Sequence, residues 1–367
     1  MIGVLLGLAL TVAPARGDFA QSLRATADTV LDTVFVASNR RRTSERFTRD
    51  VTDSLWYGVC VVRLTVGEPD GPRALAPMHV TRVDSSALDA DTWRSRLRAA
   101  VRDSSASDLP LLFVHGYSTS PAEAVRQGEQ VKARGGHRGP LVLFVWPTHG
   151  LYVVPTPGTV YRDDAKAAAL SGPAFVRVLR AVDSLVPSAV LVAHSMGSRV
   201  ALDAIIGDSA TRAHFTARPL RAVGLFSPDV GAQRFRDESA PRLPAIAHRV
   251  ALYGASTDYL LGAAAFVNRE RRAAGLTRRG EPLAGIELVD DTRGARAEPL
   301  LLALAGPRHS VRWASAALAD FFGIVVAAAD PSCRVSLGTA DSVSAGRWRL
   351  RRGAITPVPL DSACAKR

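Results

Sequence analysis

One short stretch constrains the fold of this chain more than any other: Leu191-Val192-Ala193-His194-Ser195-Met196-Gly197-Ser198-Arg199. Residues 189–193 are apolar and mostly β-branched or small, the pattern of a buried strand. Val200, Ala201, Ala204 and Ile205 then recur at helical spacing, and Gly207 closes the segment. Between strand and helix lies a small-x-Ser-x-Gly turn. So tight a turn needs small flanking residues and leaves its serine hydroxyl exposed at the end of a sheet. Gly197 meets that need, and Ala193 is one methyl larger than the glycine usual at its place. The helix N-terminus adds partial positive charge beside Ser195. The Met196 N–H then faces the place where an oxyanion would develop. The pentapeptide alone is common, and its strand and helix context gives it weight.

The rest of the chain repeats the alternation. Residues 109–114, 141–145, 222–226, 249–253 and 286–289 read as strands. Residues 92–101, 161–185 and 311–326 read as helices, the second bent at Gly172-Pro173. Ser120-Pro121-Ala122-Glu123 is a helix start, stopped at Gly135-Gly136. Upstream, 18–38 reads as a helical or loose lead-in, 56–66 as a strand, and 67–85 as loop. Strands alternating with helices predict an α/β fold, with a mostly parallel central sheet and helices on both faces. In the tail, 333–337 and 348–352 read as a small β addition.

A serine hydroxyl needs a base to take its proton and a carboxylate to orient that base. For a strand-to-helix serine the chain order is serine, acid, histidine. Of eight histidines, only His214, His248 and His309 follow Ser195. His214 reads as surface and His248 as the start of a strand. His309 lies in a Gly-Pro loop before the last apolar helix and is the candidate base. Asp258, after the strand at 249–253, is the preferred acid. Asp229, after the strand at 222–226, is the alternative and otherwise a supporting residue. The second oxyanion donor is expected where the strand at 109–114 runs into His115-Gly116-Tyr117. Gly116 permits the turn that aims the Tyr117 N–H, and His115 holds the loop. Trp146 and Tyr152 are candidate walls of an acyl pocket, with ordinary packing an equal reading.

These pieces resemble the α/β-hydrolase superfamily and, more narrowly, the bacterial family known as domain of unknown function 900. The resemblance rests on Asn39-Arg40, Tyr57-Gly58, Cys60-Val61-Val62, residues 112–117, Phe144-Val145-Trp146-Pro147, Ala193-His194-Ser195-Met196-Gly197, Ser227-Pro228-Asp229-Val230, residues 253–260 and His309-Ser310. It implies an α/β-hydrolase fold and serine hydrolase activity, and no substrate. Ser198 stands where asparagine is common, the loop at 147–159 is long, and residues 329–367 extend past the family domain.

The expected organisation is a secretory signal over 1–17, a hydrolase domain over 34–328 and a C-terminal extension over 329–367. The signal reading rests on the short apolar run 2–13 followed by Ala13-Pro14-Ala15. It predicts a secreted or periplasmic protein, with an uncleaved membrane anchor as the alternative. Cys333 and Cys364 are candidates to pair outside the cytoplasm, and Cys60 reads as buried. No cysteine or histidine spacing suggests a metal, and no cofactor is expected. The net charge is +12. The basic residues are dispersed arginines without a nucleic-acid-binding signature, so no nucleic-acid partner is expected. Weak attraction to anionic envelope surfaces stays open, as does oligomeric state. The expected activity is hydrolysis of a small-molecule or lipid acyl ester. Thioester, lactone or acyl-transfer chemistry on the same serine is the alternative, as is a silent binding scaffold.

Overall fold

The computed structural model describes residues 29–43, 47–66, 78–105, 108–150, 157–276, 282–293, 315–352, 356 and 364 of the chain. Their centre is one sheet of eleven strands in the order β10-β11-β9-β8-β7-β6-β4-β5-β1-β2-β3. The strands are β1 (Thr29–Arg42), β2 (Phe47–Val66), β3 (Met78–Leu88), β4 (Leu111–Val114), β5 (Leu141–Val145), β6 (Val190–His194), β7 (Ala222–Phe226), β8 (Val250–Gly254), β9 (Glu287–Asp290), β10 (Ala340–Ser344) and β11 (Arg347–Leu350). Pairing is parallel from β1 through β5, β4, β6, β7, β8 and β9 to β11. It is antiparallel at the two ends, β1–β2–β3 and β10–β11.

The central strands carry apolar residues on both faces because both faces are covered. Every residue of β4 to β8 is buried. Period two divides them between two cores. Leu112, Val114, Leu191 and Ala193 pack on one side with Trp93, Phe175 and Val200. Leu111, Phe113, Val190 and Val192 pack on the other with Val131, Leu318 and Phe321. The helices supplying these partners are α1 (Ala90–Asp103), α2 (Pro121–Arg134), α3 (Pro157–Asp183), α4 (Gly197–Leu202, continuing as a π-turn to Gly207), α5 (Ser209–Ala217) and α7 (Ser315–Asp320, continuing as a π-turn to Val326), while α6 (Tyr259–Val267) follows β8. The expected cap of α2 is present: Ser120 Oγ accepts from Glu123 N–H at 3.2 Å, with Pro121 in the first turn.

Three expectations are corrected. The lead-in is strand from Thr29 onward, paired with β2 and with β5. The loop reading over 67–85 gives way to β3 from Met78, an edge strand whose outward side chains are polar and exposed. In the tail, Cys333–Ser336 is a helical turn, and the β addition is the hairpin 340–350. α3 holds Pro173 inside its span. The expected signal segment 1–17, Tyr152 and His309 lie outside the described residues.

The hairpin joins the main sheet through β11 and β9. A buried ion network secures it. Arg334, fully buried, donates to both oxygens of Asp320 at 2.7 and 2.9 Å and pairs with Glu287. Tyr253 O–H donates to Asp320 at 2.7 Å. Cys333 and Cys364 are thiols in one small apolar cluster, with Cys333 Sγ 3.8 Å from the Cys364 carbonyl oxygen.

Strand order reverses beside β4: the chain passes from β4 outward to β5, then crosses back to β6. At such a switch point the loops leave the strand ends in opposite directions and open a crevice. His115-Gly116-Tyr117 leaves β4 there, and Ser195 leaves β6.

Candidate active site

Ser195 sits at φ +53°, in the left-handed region. For a residue with a Cβ that costs on the order of 1–3 kcal/mol and persists only where neighbours over-determine it. They do so here. Ser195 N–H donates to Phe226 O at 2.9 Å; its carbonyl oxygen accepts from Ser198 N–H at 3.0 Å and from Asp229 N–H at 3.2 Å. The strand beside the elbow and the loop that follows it therefore hold the turn on both sides.

Two glycines let the neighbouring loops interlock. A Cβ on Gly197 would lie 2.3 Å from His115 O and 2.7 Å from Val114 O. A Cβ on Gly116 would lie 2.6 Å from His194 Nδ1 and 3.1 Å from the Cβ of Ser195. Side chains at either place would push the β4 loop away from the serine. Met196 heads α4 and Tyr117 follows Gly116. Among the described residues, neither N–H donates a hydrogen bond.

Behind the β4 loop is a supporting layer. The His115 ring stacks on Trp146, with centroids 5.3 Å apart and planes 7° from parallel. Trp146 Nε1–H donates to His115 O at 2.8 Å, and His115 Nδ1 lies 2.9 Å from Gly116 O. Trp146 is fully buried, so its indole serves the loop. Arg40 fastens the next stretch, donating to Trp146 O at 3.3 Å, Thr148 O at 2.8 Å and Thr48 O at 3.2 Å. Burial pulls the Arg40 guanidinium down to about 10. This gives the Asn39-Arg40 signature a physical role. Asp164 ties both loops together, accepting from Ser118 N–H at 3.1 Å, from His149 N–H at 3.0 Å and meeting His149 Nδ1 at 2.6 Å. Burial raises the Asp164 pKa, against the pull of those bonds.

The two candidate acids end adjacent strands. Asp229 is 3% exposed and committed on both oxygens: Arg199 Nη2 lies 3.1 Å from Oδ1, and Tyr161 O–H donates to Oδ2 at 2.6 Å. Arg199 Nε also donates to the Asp229 carbonyl at 2.6 Å. Asn268 Nδ2 and Arg199 Nη2 each reach the Tyr161 hydroxyl at 2.7 Å. Burial, then the Asp229 charge, raises the Tyr161 pKa. The Tyr161 ring packs 5.7 Å from that of Tyr117, so this knot abuts the β4 loop. Asp258 is 1% exposed and caps α6, accepting from Leu261 N–H at 3.1 Å.

The structure thus brings Ser195, Met196, Gly116, Tyr117 and Asp229 together at the ends of β4, β6 and β7, with Asp258 at the end of β8. Sequence reasoning missed Asp164, His149, Tyr161, Arg199 and Asn268, whose partners are all distant in the chain. Among the described residues, no cluster of three or more histidine, cysteine or carboxylate side chains has metal-binding geometry.

No curated protein matches the chain. A solved structure, described as an extracellular alpha/beta-hydrolase from a Paenibacillus species with structural and functional homology to tobacco salicylic acid binding protein 2, is 12% identical. It covers 56% of this chain and 86% of that chain at a TM-score of 0.22, too low to carry an argument. The family model described as "Alpha/beta hydrolase of unknown function (DUF900)" matches residues 89–291, more than half of the chain. That span includes His115 to Tyr117, Trp146, Ser195, Asp229 and Asp258 and ends before His309. The elbow, the crevice and this match lead to one conclusion: the chain belongs to the DUF900 family of alpha/beta hydrolases.

Proposed function

We propose that this chain is a serine hydrolase that cleaves carboxylic esters with Ser195 as nucleophile, His309 as base and Asp258 as its orienting acid. The supporting observation is the Ser195 backbone, held at φ +53° against two interlocking glycines at a sheet crevice. Strained backbone of that kind clusters at active sites, where the surrounding structure over-determines it. Ser195 Oγ attacks the ester carbonyl while His309 takes the hydroxyl proton. The tetrahedral oxyanion accepts hydrogen bonds from the Met196 and Tyr117 N–H groups. Collapse breaks the bond to the alcohol, which leaves with the proton from His309. Water, deprotonated by His309, then releases the acid from the acyl-enzyme. Asp258 accepts from the second imidazole N–H and balances the imidazolium charge.

The test is hydrolysis of short-chain p-nitrophenyl esters by the purified protein. The expected result is turnover that falls about a thousandfold or more in both Ser195→Ala and His309→Ala. Full activity in His309→Ala would remove the base assignment. Turnover of thioesters without oxygen esters would move the reading to thioester chemistry on the same serine.

A further inference from the structure

Helix α6 is apolar on its buried face and on its solvent face alike. Its residues Tyr259–Val267 include no charged side chain. Leu261, Ala264 and Ala265 face the core. The solvent face is Tyr259, Gly262, Ala263 and Phe266, one stripe at helical spacing. Tyr259 is 57% and Phe266 84% exposed. A Cβ on Gly262 would meet nothing within 4 Å, so the face is open there too. By contrast, the exposed positions of α1 are Asp91, Ser95, Arg96, Arg98, Arg102 and Asp103. A helix facing water normally presents such residues; one that is apolar all round normally has a second apolar contact.

Just past the end of α6, Arg269 and Arg271 are exposed, on a chain of net charge +12. An apolar helix face bordered by arginines fits the boundary of an anionic bilayer, with Phe266 and Tyr259 among the acyl chains and the guanidinium groups at the phosphates. A second copy fits less well. Four residues, two of them glycine and alanine, fall far short of the roughly 800 Å² per partner of a stable protein interface. A bilayer needs no complementary surface.

We propose that the solvent face of α6, with Arg269 and Arg271, docks the protein on anionic phospholipid surfaces. The helix is capped by Asp258, so docking brings the rim of the site to the lipid. Joined to the ester reading, on which this last step rests, docking makes the substrate an acyl ester presented by the membrane.

The test is co-sedimentation of the full chain with phosphatidylcholine vesicles and with vesicles that also contain phosphatidylglycerol. Binding is expected to the mixed vesicles, weakening with added salt. It should fall about tenfold or more in Phe266→Asp, in Gly262→Glu and in the double variant Arg269→Glu/Arg271→Glu. Each variant should hydrolyse a soluble short-chain ester at the wild-type rate, and Ser195→Ala should bind vesicles like wild type. This separates docking from catalysis: vesicle binding without ester turnover would sink only the ester reading. No binding to mixed vesicles, or binding unchanged in Phe266→Asp and Gly262→Glu, would overturn the docking surface. A wild-type dimer in sedimentation that Phe266→Asp dissociates would overturn it in favour of a second copy.

Discussion

Asp229 and Asp258 are equally buried at the ends of neighbouring strands, yet they are occupied differently. Asp229 holds Arg199 and Tyr161 with its two oxygens, while Asp258 Oδ1 caps α6. The Arg199 guanidinium already neutralises Asp229, which leaves that carboxylate less charge to offer an imidazolium. Asp258→Asn is therefore expected to lower kcat on short esters by about 10⁴. Asp229→Asn should keep most of kcat and its pH profile but lose about 1–3 kcal/mol of stability, because Arg199 loses its counter-charge. Steady-state kinetics and denaturant melts on both variants check this, and the reverse pattern would move the acid to Asp229. The sequence placed both acids at strand ends but could not separate them. Arg199 and Tyr161, which engage Asp229, lie 30 and 68 positions away and carry no local signal.

At the level of elements, the loops leaving β4 and β5 hold each other beside the elbow. Trp146 after β5 stacks on His115 after β4 and donates to its carbonyl, so the loop after β4 inherits the rigidity of the sheet. Trp146→Phe keeps the stack and removes the N–H. The account expects kcat to drop about tenfold with KM nearly unchanged, as suits a bond that positions a transition-state donor. An equal rise in KM would instead make Trp146 part of ground-state binding. Elements were readable where a strand is buried on both faces, as in β4 to β8, because an apolar run needs no partner to be recognised. β1 and β3 were not. β1 is set by pairing on both edges, with β2 along most of its length and with β5 more than a hundred residues later, and β3 is an edge strand whose exposed, mostly polar face reads like loop.

For the whole molecule, the buried charges decide how stability varies with pH. Glu129 on α2 is 2% exposed, and burial, then the nearby Asp32 charge, pushes its carboxyl up to about 8. A carboxyl raised above its ordinary value of 4.5 stabilises the fold while protonated. That contribution is full below pH 4.5 and is lost as pH rises through about 8. His137 is lowered by burial from 6.5 to about 4, so its own contribution is constant above pH 6.5. Melts between pH 6.5 and just above 8 should therefore show wild-type stability declining. Glu129→Gln, neutral at every pH, should flatten the decline; an unchanged slope would show that Glu129 is ionised in the fold. Long-range ion networks of this kind also explain why the tail read as an appendage. Arg334 joins Asp320 and Glu287 inside the core, and charged residues in a sequence do not announce a buried partner. The central claim is that Ser195 is an activated nucleophile, and the most direct measurement is labelling with a fluorophosphonate probe beside Ser195→Ala. The account predicts stoichiometric labelling of the wild type at Ser195 and none of the variant. Folded wild-type protein that hydrolyses no ester and takes no label would contradict it.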